Sequence, residues 1–281
     1  MALTDRIIVL DVDETLVNTS RTKTMDNIIS SCSYDSPERK FYSVDIQECP
    51  DYPRMWGSYR PHLDKFILFC NVYFEKVIIW SAGQKGYVEP MTEKIFMQVS
   101  RKPDLIYSHD RCKFKERILY KPLRDLEQYG VSLDKALVVD DRETTYIDNP
   151  ENGILIPPYV VDPETPCSHN NPHSPCSNIP QSSCSLNNNS CSLNSPSFNN
   201  PHSPCSESPC SEQVYSNPCK EHEDDHLYRL ACWLMLPEVL SCPDYRTLIK
   251  SDIFDVKVEH YHKYLYHQAP NNLIWLKSIF D

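Results

Sequence analysis

The sequence lacks an excess of positive charge, a long apolar run and closely paired cysteines. Its 281 residues carry a formal net charge of −11, so no large non-specific attraction to nucleic acid or to an anionic membrane is expected. The first apolar run, Ile7 to Leu10, is too short for a signal-peptide core. No segment approaches the roughly 18 apolar residues of a membrane-spanning helix. We therefore predict an intracellular chain, nuclear or cytoplasmic, that binds neither nucleic acid nor membrane directly.

Cysteine is frequent, but its arrangement supports neither of its usual structural uses. The 13 cysteines are odd in number, and seven of them fall in one low-complexity stretch between Cys167 and Cys219. None of the seven forms a C-x-x-C pair, so the support for a zinc site is weak. Because the chain shows no secretory signal, we expect reduced thiols rather than a disulfide framework.

Glycine is scarce, at 5 residues, whereas 23 prolines make the composition uneven. The stretch 163–222 consists largely of Ser, Pro, Asn, Cys and His, and its octapeptide N-N-P-H-S-P-C-S at 170–177 recurs at 199–206. Such a segment has too few apolar side chains to offset the entropy of ordering its backbone. We predict a disordered insertion at 163–222, between a compact core at 1–162 and a C-terminal helical part at 223–281.

Short apolar runs alternate with helical patterns through the first 162 residues. The runs at Arg6–Leu10, Lys76–Trp80 and Ala136–Val139 are typical of buried parallel strands, and Asn152–Ile156 is a candidate fourth strand. Between them, apolar residues recur at helical spacing from Pro61, over Val88–Val99 and over Leu119–Tyr129. This alternation predicts an α/β fold with a doubly wound parallel sheet.

Two further regions complete the predicted organisation. The polar stretch Ser20–Pro53 predicts loops with a β-ribbon around Phe41–Ile46, and it is too short for a large cap domain. After the insertion, an apolar stripe predicts a helix that Asp224 or Asp225 caps, and Tyr245–Ile249 predicts a short helix. The stripe consists of Leu227, Leu230, Ala231, Leu234 and Met235.

Polar side chains follow each of the three main strands. Asp11 and Asp13 end the first strand, Ser81 ends the second, and the pair Asp140-Asp141 ends the third. Ligands of open α/β sheets bind outside the carboxyl ends of the strands, so these side chains should form one site. Neighbouring carboxylates repel unless a cation lies between them, and Mg²⁺ suits a site built from oxygen ligands.

These groups suit phosphoryl transfer. One carboxylate can accept the phosphoryl group as a nucleophile, and a second can protonate the leaving oxygen and then activate water. Lys121, which we place on the predicted helix before Pro122, could reach in and neutralise an anion. With Mg²⁺ it would hold the charge of the phosphoryl oxygens.

Five segments resemble the phosphatases that act on the C-terminal domain of RNA polymerase II, in the haloacid dehalogenase superfamily. D-V-D-E-T-L-V at 11–17 is similar to the D-x-D-x-T-L-V motif of that FCP/SCP-like family, and Y-R-P-H-L-D-K-F at 59–66 to its R-P segment. I-I-W-S-A-G-Q-K-G-Y-V-E-P-M at 78–91 resembles its second motif. Y-K-P-L-R-D-L at 120–126 and A-L-V-V-D-D-R-E-T-T-Y at 136–146 resemble the lysine and last motifs.

The resemblance implies a role for each matching residue. Asp11 would be the nucleophile and a metal ligand. Asp13 would be the general acid and base, with its backbone carbonyl on Mg²⁺, and Thr15 would orient it. The remaining matches would bind phosphate (Ser81, Lys121), contact substrate (Arg111) and hold the metal directly or through water (Asp140, Asp141).

The resemblance also implies a substrate class, and other functions remain open. It implies a Mg²⁺-dependent phosphoserine/threonine protein phosphatase acting on Ser-Pro motifs, with the RNA polymerase II C-terminal domain as a candidate partner. One alternative is a catalytically idle module on the same fold that binds phosphopeptides or peptides. Another is a phosphatase for small molecules or nucleic-acid ends, because a fold alone does not set the substrate.

Overall fold

Five parallel strands form the central sheet of the protein, in a computed structural model that describes residues 2–20, 41–46, 54–160 and 224–281. Its strands are β1 (Ile7–Leu10), β5 (Lys76–Trp80), β6 (Leu105–Tyr107), β9 (Ala136–Asp140) and β10 (Gly153–Leu155). The sheet has the order β10-β9-β1-β5-β6, and every neighbouring pair is parallel. The first, second and third predicted strands are therefore confirmed, and the fourth is a residue shorter at each end. Strand β6 was not predicted, since three residues are too few for an apolar pattern.

Within the described ranges, two smaller antiparallel sheets accompany the central one. Strands β2 (Val17–Ser20), β3 (Phe41–Asp45) and β4 (Arg54–Tyr59) pair in the order β2-β4-β3. Strands β7 (Lys113–Lys115) and β8 (Ile118–Tyr120) form a hairpin. The predicted ribbon at 41–46 is confirmed by β3. The prediction that this region is too short for a large cap domain also depends on residues 21–40 and 47–53. These lie outside the described residues, so it stays a prediction.

Both faces of the central sheet are covered. One face packs on helices α1 (Leu63–Tyr73) and α2 (Lys85–Ile95), and the other on the 3₁₀ segment Leu123–Tyr129. Side chains alternate accordingly along β1, where Ile8 and Leu10 join the first core and Ile7 and Val9 the second. The structure thus confirms the predicted α/β class with a central parallel sheet.

The predicted helix over Leu119–Tyr129 is wrong. Residues 118–120 belong to strand β8, and helical structure begins only at Leu123, as a 3₁₀ segment. The reason is Pro122, which has no N–H to donate and disfavours helical angles at the residue before it. Lys121 is therefore on an extended segment rather than on a helix, and its N–H donates to the Thr145 carbonyl at 2.6 Å.

The C-terminal part is helical where it is described. It contains α3 (His226–Leu234), α4 (Pro237–Leu240), α5 (Val258–Gln268) and α6 (Pro270–Phe280), with a 3₁₀ turn at Tyr245–Thr247. The predicted stripe on α3 is buried and belongs to the same core as α1. Asp225 occupies the N-cap position without a side-chain capping bond, while the Asp224 carboxylate accepts from the His226 N–H at 3.2 Å.

The described residues before position 161 and those from Asp224 onward belong to one compact unit. The predicted insertion at 163–222 lies outside the described residues, so the division at 162 and 223 stays a prediction. Among the described cysteines, Cys70, Cys112, Cys232 and Cys242 form no disulfide. No helix in the described ranges is both long enough and apolar enough to cross a membrane.

Candidate active site

The carboxyl ends of β1, β5 and β9 bring the predicted site residues to one edge of the sheet. Strand β1 lies between the other two, and the chain continues from it into Asp11, whose N–H still donates to Val139 on β9 at 3.0 Å. Ser81 follows β5 in the same way, and its N–H donates to Tyr107 at 3.0 Å. Asp11, Ser81 and Asp140 are all buried. The backbone pairing of the sheet therefore fixes the positions of these three residues, independently of their side-chain contacts.

Lys121 links two of the carboxylates. Its Nζ donates to Asp11 Oδ1 at 2.5 Å and to Asp140 Oδ2 at 2.6 Å, and all three side chains are at most 3% exposed. Burial works to lower the pKa of Lys121, but the two carboxylates outweigh it and the net shift is upward. The lysine is thus a fixed positive charge between the first and the last motif.

Three carboxylates lie close enough to share a metal ion. Oxygen atoms of Asp11, Asp140 and Asp141 all lie within 4.8 Å of one another. Asp11 Oδ2 and Asp141 Oδ1 are buried and have no hydrogen-bond partner among the described residues. Buried oxygens without partners are costly, and hard oxygen donors are what Mg²⁺ requires. The donor set therefore fits the metal that the family resemblance implies.

The charge balance of this cluster also favours a divalent cation. Three ionised carboxylates against the single ammonium of Lys121 leave an excess of two negative charges. Burial raises the pKa of Asp11 to about 8, with Asp140 adding to the shift and Lys121 opposing it. Burial, followed by the charge of Asp140, raises the pKa of Asp141 to about 6. A dication would favour the ionised form of each carboxyl.

Asp13 is held differently from Asp11. Its carboxylate is not a member of the three-carboxylate cluster, and its Oδ1 accepts a hydrogen bond from the Tyr87 hydroxyl at 2.5 Å. Thr15, which the resemblance implied would orient Asp13, has a buried hydroxyl with no partner among the described residues. Tyr87 lies within the second motif, but the sequence alone gave it no role.

The other two predicted substrate residues differ in their surroundings. Ser81 is buried, and its Oγ accepts from the Gly83 N–H at 3.0 Å, which restricts the rotation of the hydroxyl. Arg111 is exposed on a 3₁₀ turn after β6, with its Nε 3.6 Å from Asp110. The structure therefore places Ser81 with the buried site residues and leaves Arg111 outside them.

Arg60 is a buried residue of the site region whose role the sequence did not reveal. Its Nη1 donates to the Thr15 carbonyl at 2.9 Å, and its Nη2 donates to the Pro157 carbonyl at 2.7 Å. Its Nε contacts both carboxylate oxygens of Asp224 at 3.0 Å. One guanidinium thus ties the loop after Asp11 to the start of the C-terminal part. The R-P segment at 60–61 was the only signal in the sequence.

A parallel α/β sheet with this edge of carboxylates and a buried lysine defines the class of haloacid-dehalogenase-type phosphatases. The family model for NLI interacting factor-like phosphatase matches residues 6–168, more than half of the chain. The chain belongs to this family, as the motif resemblance to the C-terminal-domain phosphatases predicted.

Relatives of known name match the same region. The human carboxy-terminal domain RNA polymerase II polypeptide A small phosphatase 2 is 24% identical over 164 residues, which cover 55% of this chain and 50% of that protein. The TIM50 subunit of the mitochondrial import inner membrane translocase from Kluyveromyces lactis is 30% identical over 104 residues, covering 36% and 20%. The chain thus spans half or less of the length of these two relatives.

A solved structure is also similar. The fission yeast RNA polymerase II CTD phosphatase Fcp1, bound to beryllium fluoride, gives a TM-score of 0.45 at 22% identity. The match covers 55% of this chain and 42% of that chain.

Proposed function

We propose that this chain is a Mg²⁺-dependent phosphoserine/threonine protein phosphatase that forms an aspartyl-phosphate at Asp11. The observation that carries the proposal is the state of the Asp11 carboxylate. This carboxylate has an oxygen within 4.8 Å of oxygens of Asp140 and Asp141. One of its oxygens is held by Lys121, and the other is buried with no hydrogen-bond partner among the described residues. Such an oxygen is available either to a metal or to a phosphorus atom.

In the first half of the reaction, an Asp11 carboxylate oxygen attacks the phosphorus of the substrate. The bond between phosphorus and the serine oxygen breaks, and Asp13 gives its proton to that oxygen, so that a neutral alcohol leaves. Lys121 and the Ser81 hydroxyl, both buried at the sheet edge, would hold the phosphoryl oxygens. Mg²⁺ held by Asp11, Asp140 and Asp141 would supply charge neutralisation to the phosphoryl group.

In the second half, Asp13 acts as the base. It takes a proton from a water molecule whose oxygen attacks the phosphorus of the aspartyl-phosphate. The bond between phosphorus and the Asp11 oxygen breaks, inorganic phosphate leaves, and Asp13 is protonated again. Both halves require Asp13 to stay at one place in both protonation states.

The substrate assignment rests on the family and on the relatives. The human relative is named a phosphatase for the C-terminal domain of RNA polymerase II, which supports a phosphorylated protein as the substrate of this chain. We infer that phosphoserine followed by proline is the preferred site, as the motif resemblance implies. An intracellular location, nuclear or cytoplasmic, belongs to the same proposal.

The test is phosphate release from a Ser-Pro phosphopeptide by the wild type and by Asp11→Asn, with Mg²⁺ and with a chelator. We expect release that needs Mg²⁺ and is lost in Asp11→Asn. Asp134→Asn, which changes a half-buried aspartate in a 3₁₀ turn, is the matched control and should keep full activity. Release that survives the chelator or the Asp11→Asn change would overturn the proposal.

A binding module is the second candidate, because one relative is named a translocase subunit rather than a phosphatase. Tight phosphopeptide binding by the folded wild type, without phosphate release from the peptide or from an aryl phosphate, would favour it. The third alternative, a phosphatase for sugar phosphates or DNA 3′-phosphates, would be favoured if either outcompeted the phosphopeptide.

A further inference from the structure

A chain of three hydroxyl groups runs from Asp13 into the small antiparallel sheet. The Tyr87 hydroxyl lies 2.5 Å from Asp13 Oδ1 and 2.6 Å from the Thr19 Oγ1 atom. Thr19 Oγ1 in turn lies 2.5 Å from the Tyr42 hydroxyl. Tyr87 and Tyr42 are 7% and 4% exposed, so water competes little for these bonds. The chain draws on α2, β2 and β3, three elements that are distant in sequence.

The donor of the first hydrogen bond follows from the chemistry of its two groups. A carboxylate can only accept, so the Tyr87 hydroxyl donates to Asp13. In the two bonds of Thr19, either hydroxyl can be the donor. Burial raises the pKa of Asp13, and hydrogen bonds from the Tyr87 and Thr19 hydroxyls oppose that shift. Burial raises the pKa of both tyrosines, so neither gives up its proton in ordinary buffers.

The far end of the chain is fixed by packing. The Tyr42 ring lies against Tyr59, with ring centroids 4.8 Å apart. A Cβ atom at Gly57 would come 2.5 Å from the Tyr42 hydroxyl, which is closer than two such atoms can approach. Strand β4 therefore needs glycine at this position to leave room for the last hydroxyl of the chain.

We propose that Tyr87, Thr19 and Tyr42 are the positioning residues of Asp13, in the place that the motif resemblance gave to Thr15. An acid that later acts as a base needs a partner in both protonation states, and a hydroxyl, which can both donate and accept, provides one. A fixed positive charge such as Lys121 would serve only the ionised state. The catalytic consequence rests on the proposed phosphatase function, whereas the contact between Tyr87 and Asp13 is independent of it.

The experiment compares two substrates that differ in their need for an acid. Loss of a serine oxygen requires a proton from Asp13, whereas dinitrophenolate leaves readily without one. The measured quantity is kcat/KM, because it reports the first chemical half and excludes the hydrolysis of the aspartyl-phosphate. On a phosphoserine peptide, Tyr87→Phe should lower kcat/KM by roughly 10- to 100-fold, a part of what general acid catalysis supplies.

The expected effect declines along the chain. Thr19→Val should lower kcat/KM on the peptide by less than Tyr87→Phe does, and Tyr42→Phe by less again. On dinitrophenyl phosphate all three variants should stay within about threefold of the wild type, since the acid contributes little there. Tyr261→Phe is the matched control, because it removes a buried hydroxyl that donates to Ile253 in the C-terminal part, and it should change neither substrate.

Two outcomes of the kinetics would overturn the positioning role. Equal losses on both substrates would assign Tyr87 to substrate binding or to folding, and no loss on the peptide would leave Asp13 independent of it. If the wild type cleaves neither substrate, the phosphatase function fails and a spectroscopic measurement decides instead. The carboxyl ¹³C signal of Asp13, assigned by its loss in Asp13→Asn, should shift in Tyr87→Phe and stay in Tyr261→Phe. An unmoved signal in Tyr87→Phe would overturn the proposal whatever the activity.

Discussion

Asp11 and Asp13 are two residues apart, yet the fold surrounds them with opposite kinds of partner. Asp11 faces the Lys121 ammonium and two further carboxylates at the sheet edge. Asp13 faces the neutral hydroxyl of Tyr87 and, beyond it, the small antiparallel sheet. A fixed cation favours one protonation state, and hydroxyls accommodate both. The difference teaches how one short loop can carry a nucleophile and a proton-transfer group side by side.

The strongest test of this comparison removes the fixed charge. Lys121→Met leaves Asp11 and Asp140 buried without their shared partner, and breaking a buried ion pair costs roughly 3–5 kcal/mol. We expect a loss of that order in the free energy of unfolding, measured by denaturant titration without metal. Phosphate release should fall by roughly 10²–10³-fold, as when one charge-stabilising donor is removed.

Lys135→Met is the control for the lysine substitution. Lys135 pairs with Asp5 at the surface, with a side chain that is 37% exposed, and its replacement should leave the unfolding midpoint unchanged. If Lys121→Met were as stable as the wild type, the buried contacts of Lys121 with Asp11 and Asp140 would not stabilise the fold. The proposed difference between the surroundings of Asp11 and Asp13 would then be wrong.

Metal binding should distinguish the two aspartates next. Saturating Mg²⁺ should raise the wild-type free energy of unfolding, by about 2.7 kcal/mol when the metal is at 100 times its Kd. Asp141→Asn should lose most of this increase, because its carboxylate belongs to the cluster of three. Asp13→Asn keeps its backbone carbonyl and should retain the increase. The measurement is thermal unfolding with and without Mg²⁺. If both variants lost the Mg²⁺-induced stabilisation equally, the assignment of the metal to the Asp11 cluster and not to the Asp13 carboxylate would be wrong.

The ion pair between Arg60 and Asp224 connects the loop after Asp11 to the C-terminal part. It should make a smaller, pH-dependent contribution to the free energy of unfolding. Burial acts to raise the pKa of Asp224, but hydrogen bonds from His226 and the charge of Arg60 outweigh it and lower the pKa to about 2. A carboxyl with a depressed pKa stabilises the fold above its unfolded pKa of 3.8, and the contribution is lost as pH falls towards 2. The shift corresponds to roughly 2 kcal/mol at neutral pH.

Asp224→Asn should therefore destabilise the protein at pH 7, and the difference from the wild type should shrink as pH falls below 3.8 and vanish near pH 2. Asp244 is a useful control, since a hydrogen bond from Arg246 lowers its pKa to about 2 as well, but it lies at the surface. Asp244→Asn should leave the unfolding midpoint unchanged at both pH values. A constant difference between wild type and Asp224→Asn across this pH range would show that the contact with Arg60 contributes no ionisation-linked stability.

The sequence predicted the carboxylates and the lysine of this site better than the hydroxyl chain beside Asp13. Asp11, Ser81 and Asp140 each follow an apolar run, and parallel strands bring their ends together in every such sheet. Lys121 was found from its motif, although Pro122 made the predicted helix wrong. The hydroxyl chain could not be predicted, because Thr19 meets Tyr42 and Tyr87 across 23 and 68 residues. Only the pairing of β2, β3 and β4 and the packing of α2 create those contacts.

The smallest expected effect concerns Thr15, where the motif and the geometry disagree. Its hydroxyl is buried with no partner in the part of the chain that the structure describes, and replacing such a group by an apolar one of the same shape is nearly neutral or stabilising. Thr15→Val should therefore keep both the unfolding free energy and the cleavage of a phosphoserine peptide close to wild type. Tyr87→Phe, the change with the largest loss predicted for the hydroxyl chain, is the comparison for it. A collapse of peptide cleavage in Thr15→Val, with dinitrophenyl phosphate unaffected, would return the orienting role to Thr15. The hydroxyl chain would then contribute to the fold and not to the orientation of Asp13. If both Thr15 and the hydroxyl chain oriented the carboxyl, the loss of Thr15 alone would not abolish cleavage.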